Sequence, residues 1–75
     1  KERNRLNNQL NNTEKKIEQL EESIQEYDQK MVQLDYTNEA EVQEVMAQYN
    51  KLKEQLDNEM KLWEEISEKL IEMEN

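Results

Sequence analysis

The chain has 75 residues, of which 39% are charged and 33% hydrophobic, and its net charge is −9. It contains no Cys, His or Gly, which excludes disulfides, thiolate or imidazole chemistry and glycine-rich phosphate loops. The acidic balance disfavours generic binding to nucleic-acid backbones, and no apolar run approaches the ~18 residues of a membrane span.

The first predicted element is a helix over residues 2–34. Its apolar or semi-apolar residues alternate between spacings of four and three, with Leu10, Ile17, Ile24 and Met31 at the a positions of a heptad. An unbroken heptad pattern is typical of a coiled coil. This first seam consists of Leu6, Leu10, Thr13, Ile17, Leu20, Ile24, Tyr27, Met31 and Leu34.

The stretch LDYTNEAEV, residues 34–42, interrupts the heptad pattern and predicts a turn over residues 35–38. Asp35 and Asn38 suit a tight turn because their side chains can bond nearby backbone. Asn38 can also cap a new helix, and Glu41 three residues later resembles a capping box. Thr37 is an equally reasonable cap.

The third predicted element is a helix over residues 38–74, with a second heptad run of more than four heptads. Its seam consists of Val42, Val45, Tyr49, Leu52, Leu56, Glu59, Trp63, Ile66, Leu70 and Met73. Two such runs around a turn predict an all-α fold, a two-helix antiparallel coiled-coil hairpin, as a single domain over residues 1–75. Because the chain has no initiator Met, we expect it to be a fragment of a longer protein.

A hairpin that places Leu34 opposite Val42 fixes the register of the two seams. The smallest residue of the first seam, Thr13, then lies opposite the largest of the second, Trp63, as close packing requires. At the end away from the turn, Arg3 lies opposite Met73. On one flank, Glu21 and Lys53 face each other and are expected to form an exposed ion pair.

Glu59 is the charged residue that breaks the second seam. We expect helix two to rotate locally, so that Met60 or Leu62 turns inward while Glu59 reaches water or Lys16. A helical irregularity near residues 57–62 would be one form of this rotation.

Little in the sequence can carry catalysis. The carboxylates lie on solvated helix faces with no pocket to shift their pKa values, so no catalytic, cofactor-binding or metal-binding residues and no small-molecule ligand are expected. The candidate site is the basic start of helix one, which suits contact with phosphate. Alternatively, its charges neutralise the acidic end of helix two. The candidate residues are Lys1, Arg3, Arg5, Lys15 and Lys16.

The order of these features resembles the C-terminal coiled-coil domain of the ATP-binding cassette F (ABC-F) family. Domains of this family carry a similar V-Q-E…Y-x-x-L…W-E-x-L pattern on their second helix. In this chain the pattern corresponds to Val42, Gln43, Glu44, Tyr49, Leu52, Trp63, Glu64 and Ile66. The resemblance covers nearly the whole chain.

The resemblance implies a cytoplasmic parent protein with two ATP-binding cassettes that acts on the ribosome as a translation factor, in some members giving antibiotic resistance. The tail itself would be a non-catalytic accessory domain that contacts the ribosome or positions the cassettes. A DNA- or RNA-binding tail is the first alternative. The second is a structural or oligomerisation coiled coil of an unrelated scaffold protein, and self-association through the thin core is also expected.

Overall fold

Two antiparallel helices joined by a short loop make up the molecule. In the computed structural model, which describes residues 1–74, α1 spans Glu2–Val32 and α2 spans Glu39–Glu74, and these residues form no strand. The helices lie side by side in a rod of 57 × 15 × 14 Å. The predicted all-α, two-helix antiparallel hairpin is confirmed.

The heptad seams form the interface between the two helices. Every residue of the first seam is buried or half-buried, and so is the second seam except at Trp63 and Met73. Leu6, Thr13 and Ile66 are the buried residues of the described chain, with exposed fractions of 6%, 4% and 4%. The core is therefore a thin stripe, because two helices can cover only one face of each other.

Contacts between the helices confirm the predicted register. Arg3 Nη2 lies 3.1 Å from Glu74 Oε1, beside the predicted layer of Arg3 and Met73. Trp63 Nε1 donates to Glu14 Oε1 at 3.1 Å, beside the predicted layer of Thr13 and Trp63. A slip by one heptad would separate both pairs by about 10 Å along the axis.

The predicted ion pair between Glu21 and Lys53 is wrong. Within residues 1–74 the ion pair that forms is Arg3–Glu74, whereas Lys53 Nζ lies 4.7 Å from the centroid of the Tyr49 ring. Tyr49 is one turn away on the same helix, so Lys53 finds this partner without ordering a second long side chain. Hydrogen bonding to the Tyr49 side chain raises the pKa of Lys53, and the charges of Tyr49, Asp28 and Asp57 act in the same direction.

Helix α1 ends at Val32, two residues earlier than predicted, so the loop covers residues 33–38. The Gln33 N–H donates to the Lys30 carbonyl at 3.1 Å, which tightens the last turn. The Tyr36 hydroxyl donates to the Met31 carbonyl at 2.5 Å and satisfies another acceptor at the helix end. Leu34 remains half-buried although it lies beyond the helix.

Asp35 organises the loop with its carboxylate. The Thr37 N–H and hydroxyl both donate to Asp35 Oδ1, at 3.0 and 2.6 Å. These hydrogen bonds, from the hydroxyl first and the backbone second, lower the pKa of Asp35 because they favour its charged form. The Asn38 N–H closes the turn onto the Asp35 carbonyl at 3.1 Å.

Asn38 caps α2. The Glu41 N–H donates to Asn38 Oδ1 at 3.3 Å, and the Val42 N–H makes the first helical bond to the Asn38 carbonyl at 3.1 Å. The Asn38 side-chain amide donates to Glu41 Oε2 at 3.4 Å, so the two residues bond reciprocally. Of the two candidate caps, Asn38 fills the role, because the hydroxyl of Thr37 is engaged by Asp35.

Candidate functional site

The basic residues of α1 do not form one patch. Arg3 is paired with Glu74 across the open end of the hairpin, where both side chains are largely exposed. Lys15 and Lys16 lie about 18–20 Å further along the helix axis. The Arg3–Glu74 contact accords with charge neutralisation between the helices. Phosphate binding by Lys1, Arg3, Arg5, Lys15 and Lys16 remains a prediction.

One flank of the hairpin carries a polar groove of about 450 Å³ around Glu59. It is lined by Lys16, Gln19, Leu20, Ser23, Gln55, Asn58 and Glu59. The Glu59 side chain lies in the seam, and its Oε2 atom is buried with no hydrogen-bond partner. Within the described residues it is the one buried side-chain oxygen or nitrogen atom without a partner, and it lies opposite Ile17 in the seam.

The expected local rotation of helix two is wrong. Helix α2 is continuous through residues 57–62, and Met60 and Leu62 are 46% and 42% exposed. A rotation that brought Met60 inward would turn Ile66, one of the most buried side chains, toward solvent. Packing in the neighbouring layers therefore fixes which face of α2 lies against α1, and it keeps Glu59 in the seam.

Trp63 is only partly buried at the level of Thr13, whose own exposed fraction is 4%. The indole is 37% exposed and leans to the flank opposite the polar groove, where Nε1 bonds Glu14. An indole N–H in a protein interior needs an acceptor. The acceptor of the Trp63 indole N–H is the Glu14 carboxylate, while the Thr13 hydroxyl donates to the Gln9 carbonyl of its own helix at 2.8 Å.

Leaning outward, Trp63 forms one wall of an apolar groove of about 450 Å³. This groove is lined by Glu14, Ile17, Met60, Trp63 and Glu64. Its floor is hydrocarbon and its rim is anionic. The Glu14–Trp63 hydrogen bond holds the indole in place, so the groove is largely formed before any partner arrives.

Met60, Glu14 and Glu64 were not among the site residues predicted from the sequence. A signal was present, because Met60 occupies an e position of the heptad and faces the e position of Glu14 across the hairpin. Heptad position alone places such residues at the edge of the seam. It does not show whether the side chain of Trp63 covers these residues or leaves them exposed beside it.

Two kinds of site are absent from the part of the chain that the structure describes. Residues 1–74 bring together no group of three or more acidic side chains that could hold a metal ion. No helix within this range is long and apolar enough to cross a membrane.

Comparison with known families identifies a related domain. The model described as "ABC transporter C-terminal domain" matches residues 1–68, which include α1, the loop and most of α2. Neither the comparison with curated proteins nor that with solved structures gives a match.

Proposed function

Since the chain belongs to the ABC transporter C-terminal domain family, we propose that it is the non-catalytic accessory domain of a cytoplasmic ABC-F-type ATPase. In this role the hairpin contacts the ribosome or positions the ATP-binding cassettes. The observation that carries the proposal is the family match across both helices and the turn.

Two further features support this role. The V-Q-E pattern at Val42 and the W-E pair at Trp63, which carry the resemblance to ABC-F tails, both lie on α2. The hairpin is a rod 57 Å long, with a largely charged surface. Such a rod can reach a partner well beyond the body of an ATPase, and its length suits a spacer or a contact arm better than a compact catalytic unit.

The test compares the intact parent protein with a version that lacks this domain. We expect removal to weaken co-sedimentation with ribosomes or to change the ribosome-stimulated rate of ATP hydrolysis. ATP binding by the cassettes serves as the control and should be unchanged. If neither ribosome association nor ATP turnover changes, the accessory role is wrong.

The second candidate function is a DNA- or RNA-binding tail, and the basic start of α1 is the observation in its favour. Residues 1–37 have a net charge of −2, from six basic and eight acidic residues, whereas residues 38–75 carry −7, from four and eleven. A gel-shift titration at low salt separates the two functions. Binding that is lost in an Arg3→Gln/Arg5→Gln variant and weakens steeply with salt would favour this alternative.

A further inference from the structure

We propose that the apolar groove of Ile17, Met60 and Trp63 docks a basic amphipathic protein segment. The segment would insert one or two apolar side chains into the groove and place Lys or Arg beside Glu14 and Glu64. This inference rests on the proposed accessory function and identifies where on the hairpin a protein partner is held.

Met60 and Trp63 expose large apolar side chains in this groove. They are 46% and 37% exposed and lie side by side on one flank, although the core of this rod is too thin to spare apolar area. Tryptophan and methionine are enriched in the centres of protein interfaces. Methionine also adapts its shape to an incoming side chain, while the indole of Trp63 is already oriented by Glu14.

The charge of the groove's rim favours a basic partner. Both polar residues on the rim, Glu14 and Glu64, are acidic, and residues 38–75 carry a net charge of −7. A segment with Lys or Arg flanking its apolar anchor is therefore attracted and oriented. A phosphate backbone is repelled at this rim, and a second copy of the chain brings another −9 of charge.

The opposite flank at the same level shows that the apolar groove is selective. There, between Lys16 and Gln55, the polar groove offers amide, hydroxyl and carboxylate groups around Glu59. A partner with an apolar anchor can bury it on the Trp63 side without leaving polar groups unpaired, and it cannot do so on the Glu59 side.

The experiment uses Trp63 as its own probe, because it is the one tryptophan of the chain. A synthetic helical peptide of leucine and lysine, with the leucines on one face, is titrated into the chain. We expect a saturable blue shift of the indole emission. A peptide with the same lysines and with serine in place of leucine should bind at least about tenfold more weakly, a difference of ~1.4 kcal/mol.

Two methionines provide a matched pair of variants. Met60 and Met46 both occupy e positions of α2 and are 46% and 44% exposed, but Met46 lies two heptads away from the groove. Met60→Gln should weaken peptide binding about tenfold, and Met46→Gln should change it less than about twofold. Far-UV circular dichroism of both variants checks that the hairpin is intact.

The charged rim is tested by Glu14→Gln/Glu64→Gln, in which the amide oxygen introduced at position 14 can still accept the indole hydrogen bond. This double variant should lower affinity and flatten the salt dependence, whereas Glu26→Gln/Glu54→Gln elsewhere on the rod should do less.

Three results would overturn the inference. One is equal binding of the leucine and serine peptides, which would mean that charge alone attracts them. Another is equal loss in the Met60 and Met46 variants. The third is quenching of Trp63 by single-stranded DNA that Met60→Gln abolishes, which would make the groove a base-stacking platform. If the groove does not bind the peptide while the parent protein still needs this domain for ribosome association, the proposed function stands without the groove.

Discussion

The two ends of the hairpin are held together by different means. The three buried residues, Leu6, Thr13 and Ile66, all lie between the Glu59 layer and the open end. At the turn end, by contrast, the seam residues are only half-buried. The turn end instead carries a cluster of local hydrogen bonds centred on Asp35 and Asn38.

Chain connectivity explains the difference. Near the turn, a six-residue loop keeps the helices close, so closing them there costs little conformational entropy and local bonds suffice. At the open end no such tether acts, and side-chain contacts alone oppose fraying. A long hairpin therefore needs its best apolar packing far from its turn, and Glu59 marks the level where this packing stops.

The largest effect should come from the open end. Ile66→Ala removes a side chain that is 4% exposed and should lower the free energy of unfolding by about 2–5 kcal/mol, through lost burial and the cavity left behind. Ile71→Ala is the matched control, since Ile71 is on the same helix and 58% exposed. Urea unfolding followed by helical circular dichroism measures both.

The two ends are not held together differently if Val45→Ala, in a half-buried layer beside the turn, lowers the free energy of unfolding as much as Ile66→Ala does. Apolar packing would then be uniform along the rod. The loop would have no special role in closing the turn end.

The next effect should come from the level that separates the two ends. Glu59→Leu replaces a buried acceptor without a partner by an apolar side chain and should raise the free energy of unfolding by about 1–3 kcal/mol. The gain should be absent in Glu54→Leu, on an exposed face of the same helix. A loss of stability in Glu59→Leu would mean that the carboxylate finds a partner such as Lys16 in solution.

Most of the fold could be predicted from the sequence, because heptad spacing and capping chemistry act locally. The first seam and the turn follow from residue order, which also narrows the cap to Thr37 or Asn38. The positions of Glu59 and Trp63 did not, since each depends on a choice between competing partners. The indole of Trp63 bonds Glu14 on one flank and forms one wall of the apolar groove.

At the turn end, Asn38→Ala should lower the free energy of unfolding by about 1 kcal/mol, because the Glu41 N–H loses its acceptor. Asn50→Ala, in the exposed interior of the same helix, should instead raise stability by a few tenths of a kcal/mol, roughly the difference in helix propensity. Thermal unfolding of the two variants measures both effects. An Asn38→Ala variant as stable as the parent chain would mean that the cap contributes nothing and that the turn end depends on its half-buried seam.

The smallest effect should be the pH dependence of the Asp35 turn. Hydrogen bonds from Thr37 lower the folded-state pKa of Asp35 below its ordinary value of 3.8, so its contribution to stability is present above about pH 4 and is lost as pH falls through the lowered pKa. Many other carboxylates titrate in this range, and their neutralisation relieves the repulsion within a chain of net charge −9. The contribution of the turn must therefore be measured as a difference in the free energy of unfolding between a variant and the parent chain.

Asp35→Asn should be less stable than the parent chain at pH 7, and this gap in the free energy of unfolding should close on acidification. Glu26→Gln removes the same charge from an exposed face of α1 and should show no such closing gap. A gap between Asp35→Asn and the parent chain that stays constant down to pH 2 would mean that the ionised carboxylate does not hold the turn, and that connectivity alone brings the helices together there.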